Sequence, residues 1–175
     1  MTLALLLESS DCVCFDVDST VIAEESIDSL ADFLGVGDEV KLLTERAMHG
    51  EKKFEDTLRS RLDIMQPSKS CIAQFMKLHH FQFTDGVEDL VEKLLQMGKA
   101  VYLVSGGFRV MIDPLAKLLR IPLSRVYANT IIFDDSGLYA GFDENELTSR
   151  DRGKPDVLTN LIKENGFKCV VMIGD

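Results

Sequence analysis

A short, mostly apolar run at residues 12–17 contains Asp16 near its end and is followed by Asp18, so that two carboxylates stand one residue apart. Two hydroxyl residues follow at once. Its Val and Phe residues, with two cysteines, suit a buried strand. A buried parallel strand that delivers a carboxylate at its C-terminal end is a typical way for an α/β protein to place reactive groups. The sequence therefore predicts that chemistry is centred on Asp16 and Asp18.

Two later apolar runs end in the same way. Residues 100–104 stop at Ser105, and residues 169–173 stop at Gly174 and Asp175. Because the carboxyl ends of parallel strands lie at one edge of a sheet, we expect all three polar ends to share that edge.

The spacing of apolar residues also predicts the domain organisation. Between about residues 22 and 80 they recur at helical intervals with no strand signal, which indicates an all-helical insertion of four helices. Strand–helix alternation resumes near residue 84, with a hairpin over residues 131–142. We predict an α/β fold, a doubly wound and mostly parallel sheet with helices on both faces. Its core would comprise residues 1–21 and 81–175, and residues 22–80 would form a helical cap.

Composition excludes several classes of function. The 175 residues carry a net charge of −10, which argues against a nucleic-acid or anionic membrane surface. The apolar stretch at residues 3–7 is too short to span a membrane and has no basic flank. The four cysteines have no zinc or CxxC spacing, so we expect reduced thiols in a cytoplasmic protein.

The residues expected at the sheet edge suit phosphoryl transfer. Converging carboxylates of Asp16, Asp18 and Asp175 would make a hard-oxygen site for Mg²⁺. Lys154 and Ser105 would add a positive charge and a hydroxyl, and the two glycines after Ser105 would let backbone N–H groups approach an anion. Together these groups supply a nucleophile, a metal site and phosphate donors.

Each of these signals taken alone has an ordinary structural explanation. Asp-x-Asp is common in turns, Ser-Gly-Gly is a turn sequence, and Lys154 alone would be a solvated lysine. A calcium loop that starts at Asp16 fails, because Val21 stands where glycine is needed and Ile27 where a bidentate glutamate is needed. Only the order of these signals along the chain favours a catalytic site.

The ordered motifs resemble the haloacid dehalogenase superfamily of phosphotransferases. Residues 15–20 match its first motif, Ser105 the second, Lys154 the third and Gly174-Asp175 the start of the fourth. Within that superfamily the chain resembles the phosphoserine phosphatase family over residues 10–175, through five segments: residues 16–21, 24–28, 46–48, 105–109 and 140–143.

The resemblance implies roles for the residues at the sheet edge. Asp16 would be the nucleophile that forms an aspartyl-phosphate, and Asp18 the general acid and then the general base. Mg²⁺ would be held by Asp16, the backbone carbonyl of Asp18, and Asp175. The phosphate would be bound by three residues: Ser105, Gly106 and Lys154.

The resemblance also implies O-phospho-L-serine as the substrate, hydrolysed in the last step of serine biosynthesis. From the cap, Glu25 would pair with the substrate ammonium and Arg61 with its carboxylate. Met48 and Phe54 would line the pocket, and Asn129 would lie at its edge. A homodimer is compatible with the resemblance.

The chain departs from the family pattern at three places. His49 and Arg152 stand where the family usually has glycine, and the chain stops at Asp175, where the fourth motif normally continues. We therefore expect a truncated product or fragment, in which the C-terminal part of the core is missing. The alternative is a short, catalytically silent form that binds a partner or has no activity. A phosphatase for another small phosphate ester is disfavoured by the pair Glu25 and Arg61.

Overall fold

The computed structural model describes residues 3–48 and 53–175, with side chains over residues 5–44 and 53–175. Its helices and strands alternate as an α/β protein after an early group of helices. In chain order they are α1 (Leu3–Ser9), β1 (Cys12–Phe15), α2 (Ser26–Phe33), α3 (Gly37–Met48), α4 (Phe54–Met65), α5 (Lys69–Leu78), α6 (Val87–Gln96), β2 (Ala100–Phe108), α7 (Arg109–Leu118), β3 (Val126–Asn129), β4 (Ile131–Phe133), β5 (Tyr139–Phe142), α8 (Gly153–Asn165) and β6 (Val170–Ile173).

Four of the strands form a parallel sheet in the order β3-β2-β1-β6. The central strand β1 pairs in register with both neighbours, so that Phe15 lies opposite Leu103 of β2 and Ile173 of β6. The backbone N–H of Asp16 donates a hydrogen bond of 2.9 Å to the carbonyl of Ile173. Asp16 and Asp175, which follow the paired strands β1 and β6, therefore share one edge of the sheet, as the sequence predicts. Ser105 lies within β2, because that strand continues to Phe108 instead of ending at residue 104.

Side chains of β1 alternate between two apolar layers, which explains why the strand reads as a continuous apolar run. Val13 and Phe15 pack on the face covered by α6 and α7. Cys12 and Cys14 pack on the opposite face, which α8 covers. All four residues are at most 1% exposed, and full burial of side chains of this kind contributes roughly 1.5–3 kcal/mol each. The four cysteines are free thiols, as expected.

Two connecting segments that lie side by side join helices α2 to α5 to the sheet. Ile22 and Phe83 form an isolated antiparallel bridge. On either side of it, the N–H of Ala23 donates to the carbonyl of Gln82 at 3.0 Å, and that of Thr84 to the carbonyl of Val21 at 3.0 Å. These paired connections, residues 21–23 and 82–84, fix the direction in which the helices leave the core.

The apolar residues of helices α2 to α5 pack against the rest of the protein as well as against one another. Leu30, Leu62 and Phe75 belong to a cluster that also contains Phe108 and Met111, together with Ile131 and Phe142 of the β4–β5 hairpin. The N–H of Lys69 donates to the carbonyl of Gly137 in the hairpin turn at 2.9 Å. The hairpin therefore braces the four helices, and the division of the chain at residues 22 and 80 stays a prediction.

The end of β1 differs from the predicted one. β1 ends at Phe15 rather than Val17, because the carbonyl of Val17 accepts the N–H groups of Thr20, Val21 and Ile22 in a tight turn. Pro114 lies inside the single helix α7. The hairpin is confirmed. In the described part of the chain, no helix has the length and apolar content needed to cross a bilayer.

Candidate active site

A cavity of about 430 Å³ opens at the C-terminal edge of the parallel sheet. One wall comes from the helical segment. The other comes from the C-terminal part of β2, from the segments that follow β1 and β6, and from the residues around the start of α8. The residues that line it are Asp16, Asp18, Glu25, Ile27, Phe54, Leu58, Arg61, Gly106, Gly107, Thr148, Arg150, Asp151, Arg152, Gly153, Lys154, Pro155 and Asp175. Eight residues proposed from the sequence thus meet in one space.

The Asp16 carboxylate is held at both of its oxygens. Oδ1 accepts the backbone N–H of Val17 at 2.8 Å. Oδ2 accepts a hydrogen bond from Nζ of Lys154, the second residue of α8. Asp16 is 7% exposed. A charge-assisted contact at this degree of burial orients the carboxylate and places a cation beside it.

The Asp18 carboxylate is less buried than that of Asp16 and has different partners. Its Oδ1 accepts the backbone N–H of Ser26, the first residue of α2, at 2.7 Å. Its Oδ2 accepts the hydroxyl of Ser105 at 3.3 Å. Burial raises the pKa of Asp18, and the nearby charge of Asp16 raises it further, although the hydrogen bonds oppose the rise. A carboxyl with a raised pKa is suited to donate a proton and to take it back.

The segment Ser105-Gly106-Gly107 needs both of its glycines. A Cβ on Gly107 would lie 2.8 Å from Oδ2 of Asp18, and one on Gly106 would lie 3.0 Å from Cζ of Phe54. The Ser105 hydroxyl is fully buried and accepts the N–H of Gly107 at 2.9 Å. The glycines therefore allow the backbone to pass close to Asp18, while Ser105 lies behind the cavity wall.

Asn129 is also placed behind the cavity wall rather than at its edge. It is fully buried, and its Nδ2 donates to the carbonyl of Gly106 at 2.7 Å. Its Oδ1 accepts the hydroxyl of Thr148 at 2.7 Å. This corrects the expected location: in the described geometry Asn129 positions the Gly106 peptide, and its contact with substrate stays a prediction.

Two opposite charges project into the cavity from the helical segment. Oε1 of Glu25 accepts the Ser19 hydroxyl at 2.6 Å, and burial raises the Glu25 pKa. Nη2 of Arg61 donates to Oγ1 of Thr44 at 2.6 Å, and burial lowers the Arg61 pKa. Within the described residues, the buried Nε of Arg61 has no hydrogen-bond partner. Because buried polar groups are normally paired, this Nε is a vacant donor for an anion.

The oxygen atoms near Asp16 fit a hard divalent cation. Asp175 lines the cavity beside Asp16, and a Cβ on Gly174 would lie 3.3 Å from the Cβ of Asp16. Over the described side chains of residues 5–44 and 53–175, no three His, Cys, Asp or Glu side chains are grouped as a metal site, so the cluster of three carboxylates expected from the sequence is not found there. The implied set uses only two carboxylates, those of Asp16 and Asp175, with the backbone carbonyl of Asp18. It does not require a third side chain.

The remaining proposed residues have mixed outcomes. Phe54 and Arg61 line the cavity as expected. The Met48 side chain and residue His49 lie outside the described part of the structure. Thr44 and the Ser26 N–H were missed by sequence reasoning, since nothing in the local pattern marks a threonine or a backbone donor as a partner of a distant charge. The sequence does mark one further feature, because two arginines, Arg150 and Arg152, stand close before Lys154. They add two positive charges to the single lysine that the motif requires.

This fold and site define a class of protein that uses a strand-end carboxylate, and comparison with known proteins gives the same class. A model of the family "Hydrolase: haloacid dehalogenase-like hydrolase" matches residues 10–175. The phosphoserine phosphatase of Rattus norvegicus is 44% identical over 167 residues, covering 95% of this chain and 74% of that protein. The chain belongs to the phosphoserine phosphatase family of haloacid dehalogenase-like hydrolases.

Other relatives and solved structures agree. The chloroplastic phosphoserine phosphatase of Arabidopsis thaliana is 45% identical, and the match covers 97% of this chain but 58% of that protein. A "Phospho-Aspartyl Intermediate Analogue of Phosphoserine phosphatase" superposes with a TM-score of 0.77 at 29% identity, covering 95% of this chain and 78% of that one. A "substrate bound phosphoserine phosphatase complex structure" gives 0.78 at 28% identity, with the same coverage of both chains. The chain thus spans between about three fifths and four fifths of these proteins.

Proposed function

We propose that this chain hydrolyses O-phospho-L-serine to L-serine and phosphate through a phosphorylated Asp16. The observation that carries the proposal is that one cavity holds Glu25 and Arg61 opposite Asp16 and Lys154. A phosphorylated amino acid has one ammonium, one carboxylate and one phosphate. The cavity offers the Glu25 carboxylate for the ammonium, the Arg61 guanidinium with its vacant Nε for the carboxylate, and Lys154 beside Asp16 for the phosphate.

The substrate would bind with each charge matched. Its ammonium would pair with Glu25, and its carboxylate with Arg61, whose Nε is unpartnered in the described structure. Its phosphate would lie at Lys154 and at the backbone of Gly106 and Gly107, where no side chain prevents a close approach. This placement sets the phosphorus atom beside Asp16, which contacts Lys154.

The two carboxylates would then divide the chemistry. An oxygen of Asp16 attacks phosphorus, and the bond from phosphorus to the serine oxygen breaks as Asp18 donates a proton to that oxygen. Asp18, now ionised, takes a proton from water, whose oxygen attacks the phosphorus and releases Asp16 and inorganic phosphate. The raised pKa of Asp18 favours the first of these proton transfers.

We also propose that Mg²⁺ is the cofactor, held by the carboxylates of Asp16 and Asp175 and by the backbone carbonyl of Asp18. When bound, the ion supplies positive charge that reduces the repulsion between the phosphate and the attacking carboxylate. Carboxylate and carbonyl oxygens are the ligands that Mg²⁺ prefers.

The helical segment would act as a lid. It carries Glu25, Phe54 and Arg61, and it joins the core through the paired connections at residues 21–23 and 82–84. Closure over the substrate would exclude bulk water until Asp16 is phosphorylated.

The test is phosphate release from three esters with Mg²⁺ and with a chelator. O-phospho-L-serine carries both charged groups, 3-phosphoglycerate replaces the ammonium by a hydroxyl, and O-phosphoethanolamine lacks the carboxylate. We expect Mg²⁺-dependent release that is fastest with O-phospho-L-serine and absent from Asp16→Asn. Equal rates with all three esters would contradict the substrate, and no release from the folded chain would contradict the activity.

A further inference from the structure

Arg152 occupies a backbone conformation that arginine rarely adopts. It stands immediately before α8 with a φ of 59°. In this left-handed region the Cβ of an L-residue is crowded by the backbone, and glycine is the usual occupant. A residue other than glycine in this position therefore costs stability.

The neighbouring glycine fixes where Arg152 lies. A Cβ on Gly153 would be 2.0 Å from the carbonyl oxygen of Leu147, so the loop is packed down at that point. One residue before Arg152, the N–H of Asp151 donates to Oε2 of Glu55 on α4 at 3.1 Å. The loop is therefore held on both sides, and Arg152, Gly153 and Lys154 all line the active-site cavity.

Arg152 differs from the other cations of the cavity in having no partner. Lys154 contacts Asp16, Arg61 donates to Thr44, and Nη2 of Arg150 donates to the carbonyl of Asn145 at 3.1 Å. Among residues 3–48 and 53–175, with the side chains described there, no hydrogen bond or ion pair involves the Arg152 guanidinium. Arg152 lines the cavity close to Lys154 and is solvent-exposed, so its guanidinium can turn to a phosphate bound there without breaking a contact of its own.

We infer that Arg152 is a further phosphate-binding residue of this site, a second cation beside Lys154. It contacts the phosphate of the substrate and the orthophosphate that is released, and so it strengthens both substrate binding and product inhibition. The inference rests on the proposed function for the identity of the ester. It is favoured over a contact with the substrate carboxylate, because Arg152 is two residues from Lys154 whereas the vacant donor of Arg61 lies on the opposite, helical wall.

The chain provides a matched control in Arg120. Its φ is 58°, it follows α7, and its guanidinium makes a 3.7 Å contact with Glu92 at the surface. It does not line the active-site cavity. Arg120→Gly and Arg152→Gly both relieve a left-handed arginine, so we expect both to raise Tm. Only Arg152→Gly removes a cation from the site.

The experiment measures orthophosphate binding by calorimetry in Mg²⁺, and KM and kcat for O-phospho-L-serine. For Arg152→Gly we expect the Kd of orthophosphate and the KM each to rise about tenfold, with kcat changed less than about threefold. Arg120→Gly should leave all three unchanged, and Arg152→Lys should recover most of the affinity. A rise in Tm together with a loss of affinity separates a binding role from damage to the fold.

Three results would overturn the inference. The Kd of Arg152→Gly could stay within twofold of the parent value, the parent could fail to bind orthophosphate, or Arg120→Gly could weaken binding equally. A parent that binds orthophosphate through Arg152 but releases no phosphate from O-phospho-L-serine would support the phosphate contact and contradict the proposed function. The two proposals therefore fail in different measurements.

Discussion

The backbone N–H of Ser26 donates a hydrogen bond of 2.7 Å to Oδ1 of Asp18. Ser26 is the first residue of α2, and Asp18 follows the central strand of the sheet. The proposed acid thus receives a hydrogen bond from the first turn of the helical segment that forms one wall of the cavity. Because this N–H stabilises the ionised carboxylate, the pKa of Asp18 depends on where the helical segment lies.

Replacement of Asp18 by asparagine should stabilise the chain while abolishing turnover. Burial raises the pKa of Asp18, so the folded state disfavours its charge at neutral pH. Asparagine keeps the acceptor for Ser26 without the charge. We expect a gain on the order of 1 kcal/mol, seen as a Tm about 2–4 °C higher in chelator at neutral pH.

The pH dependence of that gain follows from the direction of the shift. Because the folded pKa lies above the unfolded one, Asp18 adds stability below its unfolded pKa and loses it as the pH rises through the folded pKa. The Tm difference between Asp18→Asn and the parent should therefore shrink as the pH is lowered. Exposed Asp135 provides a control, for which Asp135→Asn should change Tm little. A destabilised Asp18→Asn at neutral pH would count against the account.

Glu25 should make the preference for the substrate ammonium depend on pH. Burial raises its pKa above the ordinary 4.5, so it loses its charge at a higher pH than an exposed glutamate. We expect the ratio of kcat/KM for O-phospho-L-serine to that for 3-phosphoglycerate to fall as the pH is lowered, with its midpoint above pH 4.5. Titration of Asp18 and of the phosphate group affects both substrates alike, so it cancels in the ratio. In Glu25→Gln the ratio should be low and flat; a flat ratio in the parent would remove Glu25 from ammonium binding.

Thr44 should act on the substrate carboxylate through Arg61. Its hydroxyl donates to the carbonyl of Val40 at 3.1 Å and so presents a lone pair to Nη2 of Arg61. We expect Thr44→Val to raise KM for O-phospho-L-serine about three- to tenfold and to change that for O-phosphoethanolamine, which has no carboxylate, very little. Thr44→Ser keeps the hydroxyl and should behave like the parent. Equal effects on both substrates would show a general disturbance of α3 instead.

The two adjacent glycines should respond differently to alanine. At Gly107 the new Cβ would lie 2.8 Å from Oδ2 of Asp18, whose carboxylate is held by hydrogen bonds, whereas at Gly106 it would meet the tip of Phe54 at 3.0 Å. We expect Gly107→Ala to lower kcat by more than about tenfold, because it displaces the proton donor. Gly106→Ala should act mainly on KM, because the Phe54 ring can move. Steady-state kinetics checks both, and the reverse order would contradict the geometry.

The strand ends were predictable because an apolar run that stops at a polar residue marks the edge of a parallel sheet. Asp16, Asp18, Ser105 and Asp175 were expected at that edge for this reason, whereas Lys154 lies in the first turn of α8 and follows no strand. Long-range packing could not be assigned from local pattern. The hairpin residues Ile131 and Phe142 share a core with the helices, and nothing in the alternation of either strand shows which helix will cover it. Asn129 was misplaced for a related reason, since a polar residue after a strand can face either the cavity or the interior.

The central claim is that Asp16 is the nucleophile, and a rapid acid quench tests it most directly. The chain would be mixed with Mg²⁺ and O-phospho-L-serine radiolabelled in the phosphate, quenched within a turnover, digested and mapped. The account predicts a hydroxylamine-sensitive label on the peptide that contains Asp16, which is absent from Asp16→Asn. Release of labelled phosphate with no label on the protein, or with the label on another residue, would contradict it.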